Sequence, residues 1–266
     1  MAIFDQTLIE RLVATAAELA DAARKATLLH FRAEGLTADN KEPHRFDPVT
    51  VADRLSEERM RAILAQRRPD DGILGEEFGP VAGSSGLTWV LDPIDGTRGY
   101  LSGTPTWGVL ISVADASGPI YGIIDQPYIR ERFEGGLGRA EVNGPMGRRL
   151  LKTRPARPLS EAILFSTFPE VGTAEEGAAF RRVAGKARLV RYGMDCYGYA
   201  LVAAGQIDLV IEAGLQPYDV QAPIAVIEAA GGVVTDWRGR PCPQGGRVLA
   251  AANRAIHAEA LALLNG

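Results

Sequence analysis

The chain is short of the residue types that carry most covalent and redox chemistry. Its 266 residues include two cysteines, Cys196 and Cys242, and three histidines, His30, His44 and His257. Two cysteines cannot build a disulfide framework, so a reducing cytoplasm is the expected compartment. The histidines are scattered, without the spacing of a zinc site. Positive charge is also scarce: 29 Lys and Arg stand against 33 Asp and Glu, a formal charge of −4. That balance argues against nucleic acid as a partner, because phosphate contacts need a basic surface. No apolar run approaches the roughly 20 residues of a membrane span, so no membrane partner is expected. The first residues, Met1-Ala2-Ile3-Phe4-Asp5, have neither a basic n-region nor a continuous apolar core. What remains is 46% hydrophobic and 23% charged, with bulk for one large domain or two closely packed ones.

Periodicity divides that bulk into two textures. Residues 5–31 carry Leu8, Leu12, Ala16, Leu19, Ala23 and Ala26 on one helical face, with Asp5 placed to cap the start. A polar connection follows, and Thr50 with Asp53 predicts a capping box for a helix to about residue 66. Strands are expected at 72–75, 88–91, 107–114, 120–125, 131–134 and 140–142, joined by turns such as Ser117-Gly118-Pro119 and Asn143-Gly144. This is the pattern of a mostly antiparallel sheet, an α+β half over about residues 1–155. From about residue 156 strands and helices alternate: strands at 162–166, 187–191, 207–212, 233–236 and 248–251, and helices at 175–184, 196–204, 220–230 and from Asn253 to about 264. That predicts an α/β half, and with no linker between them the halves form one unit.

Several phosphate chemistries are excluded by spacing. There is no Gly-x4-Gly-Lys-[Ser/Thr] loop, no Asp-x-Asp pair of the aspartyl-phosphate enzymes, and no Cys-x5-Arg, since Arg247 follows Cys242 one residue too soon. Ser84-Ser85-Gly86 offers no nucleophile elbow. The remaining chemistry is acidic. Trp89-Val90-Leu91-Asp92-Pro93-Ile94-Asp95-Gly96-Thr97-Arg98 reads as a buried strand running into two carboxylates, a tight turn and a helix start. Glu76, Glu77, Asp219, Asp47 and Asp53 also stand where strands end or helices begin. Carboxylates gathered in one pocket repel one another unless cations sit among them, and hard oxygen ligands favour magnesium or manganese.

Four segments then carry a resemblance. Asp47-Pro48-Val49-Thr50-Val51-Ala52-Asp53, Gly75-Glu76-Glu77, the Trp89 to Thr97 stretch and Tyr218-Asp219-Val220-Gln221-Ala222 together resemble the inositol monophosphatase-like superfamily of lithium-sensitive, magnesium-dependent phosphatases. The likeness spans roughly residues 5–264. It implies a layered α-β-α-β-α sandwich, metal-assisted phosphomonoester hydrolysis with two or three Mg2+ ions (Mn2+ as a possible substitute), and a homodimer. One ion would be held by Glu76, Asp92 and the carbonyl of Ile94, a second by Asp92, Asp95 and Asp219, and a third, looser one near Glu76. Glu76 and Thr97 would orient the attacking water, Asp47 or Asp53 would support Thr97, and the amides of Gly96 and Thr97 would bind phosphate.

Within that superfamily, the run from Asp95 through Thr97-Arg98-Gly99-Tyr100 to Gly108 and the segment Tyr192-Gly193-Met194-Asp195-Cys196-Tyr197-Gly198-Tyr199 resemble the histidinol-phosphate phosphatase branch. The alternatives are inositol monophosphatases, 3'(2'),5'-bisphosphate nucleotidases, and a non-catalytic metal-dependent binding protein. A small phosphorylated metabolite carrying an ammonium and an imidazole asks for carboxylates beyond those on the metal. Asp195 and Glu212 are the spare acids, with Asp195 also suited to cap the helix that follows. Arg98 is placed to neutralise phosphate or to reach across a subunit boundary.

Overall fold

The computed structural model describes residues 4–40 and 48–266. Its first helix, α1 (Gln6–His30), starts where Asp5 accepts a hydrogen bond from the Leu8 amide at 2.7 Å, and it buries Leu12, Ala16, Leu19 and Ala23. The second, α2 (Val51–Arg67), opens on the expected capping box: Thr50 Oγ1 accepts from Ala52, and Asp53 Oδ2 accepts from the Thr50 amide at 2.8 Å. After them come α3 (Thr97–Ser102), α4 (Ala174–Ala184), α5 (Asp195–Ala203), α6 (Pro217–Ala229) and α7 (Arg254–Asn265).

Strands from the first half form an eight-stranded sheet in the spatial order 147–150, 139–144, 131–136, 118–126, 108–115, 88–95, 72–75, 79–81. Every neighbour is antiparallel except Gly72–Gly75 beside Thr88–Asp95. Five more strands, in the order 189–192, 163–166, 209–215, 246–251, 233–235, form a second sheet. The expected α/β half is thus only partly parallel. Ile163–Ser166 runs parallel to both its neighbours, while Gly246–Ala251 is antiparallel to its own.

The layers follow from which faces are apolar. In the first sheet Val109, Ile111 and Ile123 pack under α1 and α2 with Leu12, Leu19 and Trp89, while Leu110 and Ile124 face the opposite way. Alternating side chains on a pleated strand send successive residues to opposite faces, so strands apolar at every position must be covered on both sides. In the second sheet Val210 and Val248 share a cluster with Leu110 and Val220, whereas Leu209 and Leu249 pack with Phe180 and Ile256 of α4 and α7. The order is therefore α1/α2, eight-stranded sheet, α5/α6, five-stranded sheet, α4/α7, the five-layer sandwich expected. Helices of the second half form the middle layer, so the two halves share one core. Close approach makes this possible: a Cβ on Gly135 would lie 2.4 Å from Val226 Cα of α6.

Candidate active site

The central strand, Thr88–Asp95, ends at the site, and its irregularity makes the site. On a regular strand residues three apart point to opposite faces. Here Asp92 pairs with Leu110 and Asp95 with Gly108, so that Pro93 and Ile94 together oppose Val109 alone, and the register shift lies between the two acids. A bulge of this kind turns a side chain to the other face. Pro93 cannot donate to the ladder, and Asp92 Oδ1 instead accepts the Ile94 amide at 3.0 Å. Both carboxylates thereby enter one cavity. Gly96 follows at φ 88°, and α3 begins at Thr97.

Asp219 arrives from the other half of the chain, in the first turn of α6, where its Oδ2 accepts the Gln216 amide at 2.7 Å. One oxygen from each of Asp92, Asp95 and Asp219 lies within 4.8 Å of the others, and among the described residues this is the group able to hold a metal ion. Burial, then Glu76, Asp95 and Asp219, push the Asp92 carboxyl well above its ordinary range. Asp95 is pushed up by burial, then by Asp195 and Asp219, with the Cys196 amide opposing. An all-carboxylate site that resists ionising when bare is one that a hard divalent cation fits, because the ion removes the repulsion causing the shift. Glu76 stands beside this trio, close enough to raise Asp92 by charge and by hydrogen bonding.

Thr97 and Asp53 meet beside this group. The Thr97 hydroxyl lies 3.1 Å from the Ile94 carbonyl and 3.4 Å from Asp53 Oδ1, while Asp53 Oδ2 is held by the Thr50 amide and hydroxyl. Asp53 is 1% exposed, so its capping role and its contact with Thr97 are served by different oxygens of one buried group. The other acid expected to support Thr97, Asp47, lies outside the described residues, as does most of the polar connection at 38–46.

Beyond the acid cluster the cavity continues, to about 830 Å3, between Ser166–Thr173 and Glu212–Leu215. Asp195 lines it, but not as a helix cap: Met194 occupies the cap position, no side chain caps the helix, and Asp195 Oδ2 accepts from the Thr106 hydroxyl at 3.3 Å. Capping fails because Asp195 is itself the first helical residue, at φ 46°, with its carboxylate turned toward Gly96 and Gly99. Burial, then Glu212, hold this carboxyl up at about 6, against the Thr106 hydroxyl and Arg98. Glu212 is buried, accepting the Tyr199 hydroxyl at 2.7 Å on one oxygen and the Thr167 amide at 2.8 Å on the other. Arg98 lines the same space with its guanidinium 5.0 Å from the Phe168 ring centre.

Some contributors carried no readable signal. Glu57 is fully buried in α2 and accepts the Glu77 amide at 2.7 Å and the Phe78 amide at 3.2 Å, which anchors the loop bearing Glu76. Phe168 is an ordinary apolar residue of the sequence until the fold brings it to the cavity.

The sequence profile of the inositol monophosphatase family matches residues 8–266. The chain belongs to that family. It is a phosphatase of the same metal-dependent kind. It is 36% identical over 253 residues to a histidinol-phosphatase of Mycobacterium tuberculosis, covering 93% of this chain and 95% of that one. It is also 42% identical over 237 residues to the chloroplastic bifunctional phosphatase IMPL2 of Arabidopsis thaliana, covering 88% of this chain and 66% of the plant protein. Among solved structures, an inositol monophosphatase from Zymomonas mobilis superposes with a TM-score of 0.85 at 38% identity, over 97% of this chain and 98% of that one. No helix among the described residues is long and apolar enough to cross a membrane.

Proposed function

We propose that this chain is a magnesium-dependent phosphomonoester hydrolase whose preferred substrate is histidinol phosphate. The observation that carries the substrate is the surplus of acid. Past the Asp92, Asp95 and Asp219 trio, the same cavity presents Asp195 and Glu212, two carboxylates that a phosphate could only repel. A substrate with a cationic tail uses them; an inositol ring asks for neutral donors and acceptors instead. The relatives named histidinol-phosphatase, at 34–36% identity, support the same choice.

Asp92, Asp95 and Asp219, with Glu76 and the Ile94 carbonyl, are the groups that would hold the cations. When bound, divalent ions supply positive charge to the phosphate and acidify a water. The protein's own part is placement. Thr97, whose hydroxyl contacts Asp53, and Glu76, on the loop anchored by Glu57, would orient the attacking water. The Gly96 and Thr97 amides at the α3 start are suited to phosphate oxygens, and Arg98 to the outer charge. Asp195 would take the ammonium, and Glu212, fixed by Tyr199 and Thr167, would present its remaining lone pairs beside it.

The test is a panel of histidinol phosphate, inositol monophosphate and adenosine bisphosphate assayed with magnesium. Histidinol phosphate should lead in kcat/KM by at least about tenfold, the worth of one well-placed charged hydrogen bond. Parity among the three would remove the substrate assignment, and a lead for either rival would replace it.

A further inference from the structure

Asp195 does something in this fold that its carboxylate does not explain. Among the described residues, four other than glycine have positive φ: Arg32, Arg130, Leu137 and Asp195. The first three sit in turns, and none of them lines the cavity that holds the acid cluster. Asp195 instead opens a helix in the wall of the active-site cavity, at φ 46°. Left-handed backbone is costly for a side chain with a Cβ, and aspartate is one of the few residues that tolerate it. Strain held in a cavity wall points to something it secures.

What it secures is the next peptide. The Cys196 amide donates to Asp95 Oδ2 at 2.5 Å, and the Asp95 carboxylate keeps an oxygen within 4.8 Å of oxygens of Asp92 and Asp219. Turning φ of Asp195 to an ordinary helical value would rotate the following peptide by about a third of a revolution relative to the one before it. The helix cannot follow that rotation, because Cys196 is pinned. Its side chain is 2% exposed, Gln126 Nε2 donates to its sulfur at 3.5 Å, and a Cβ on Gly108 would lie 2.6 Å from that sulfur. The chain on the other side is pinned as well, since the Asp195 side chain rests on the central turn, with its Cγ 2.6 Å from where a Gly96 Cβ would stand. With α5 fixed at Cys196 and the turn fixed at Gly96, the mismatch falls on one residue.

We propose that the left-handed backbone of Asp195 is a positioning device for the metal ligand Asp95: it aims the Cys196 amide at that carboxylate and so holds it turned toward the cation. The device joins the halves of the molecule, since Asp95 belongs to the first sheet and Cys196 to a helix of the second half. It rests on the metal role given to Asp95 above, and it is separate from any contact the Asp195 carboxylate makes with substrate.

Substitution separates backbone from side chain. Asp195→Gly keeps the left-handed geometry without strain and discards the carboxylate; Asp195→Val discards the carboxylate and disfavours the geometry. Asp195→Ala is the milder counterpart should the valine variant fail to fold. Magnesium affinity of the full chain, measured by calorimetry without substrate, is the readout. The glycine variant should bind Mg2+ within about threefold of the parent, and the valine variant about tenfold or more weaker, with alanine between. Equal affinities for glycine and valine variants would overturn the proposal, and so would a glycine variant as weak as valine, because the carboxylate would then be the group that matters. Absence of magnesium binding to the parent chain would instead refute the metal assignment of Asp95 itself.

Discussion

Asp95→Asn separates the electrostatic role of the acid cluster from its packing role. Three carboxylates present oxygens within 4.8 Å of one another. At an effective dielectric constant of about 20, one ionised pair at that distance costs about 3.5 kcal/mol. The metal-free cluster avoids much of this by keeping a proton, as the raised Asp92 and Asp95 carboxyls indicate, so the realised relief on neutralising one member is smaller, about 1–2 kcal/mol. Asparagine can still accept the Cys196 amide, so little packing is lost. Without magnesium, the variant should melt about 2–8 °C above the parent, given a few degrees per kcal/mol for a chain of this size. With magnesium at about a hundred times its Kd the parent gains about 2.7 kcal/mol, and the variant should gain almost none of it. Turnover should fall at least about a hundredfold, since loss of supporting groups around a metal alone costs up to that much. Differential scanning calorimetry with and without magnesium reads both effects. A variant that melts lower than the parent when metal-free, yet keeps its magnesium increment, would refute this account of the cluster.

Three further outcomes are expected. Asp195→Asn should raise KM for histidinol phosphate about tenfold while leaving a phosphate ester without a cationic tail within about twofold, and equal losses on both would deny the ammonium contact. The magnesium-induced rise in Tm should grow as pH climbs above the ordinary carboxylate range. Asp92 and Asp95 have folded-state values above their unfolded ones, so the metal-free native state binds more protons and loses stability as pH climbs from the ordinary carboxylate range through the raised values. The cation removes that loss; an increment flat in pH would contradict it. Gly135→Ala would force a Cβ into the Val226 backbone of α6, costing about 1–3 kcal/mol of stability by overpacking, seen as a lower midpoint in urea with an unchanged slope.

Much of the fold was readable because its signals are local. Asp5 and the Thr50 to Asp53 box mark helix starts through bonds three residues long, and they stand where expected. Glu76, Asp92 and Asp95 were readable as candidates because each stands next to a proline or glycine that shapes the backbone. The mixed direction of the second sheet was not readable, because strand order is set by long-range pairing, and the alternation of strand and helix is the same for either direction. Asp195 shows the limit most sharply. By its sequence position it suits a helix cap, but tertiary packing on Gly96 and Cys196 drives its backbone left-handed and turns its carboxylate into the cavity.

The sequence by itself determined the chemical kind of the site: oxygen ligands in excess, no covalent nucleophile, and hence a phosphate handled through hard cations. It did so because donor type is a property of residues. Only the tertiary structure decided which acids share an ion and which are left for something else. Asp92 and Asp95 share a cavity because a bulge turns one of them over, and Asp219 joins them because α6 lies between the two sheets. Those are distances across the layers of the sandwich, and they exist only once the layers close on one another.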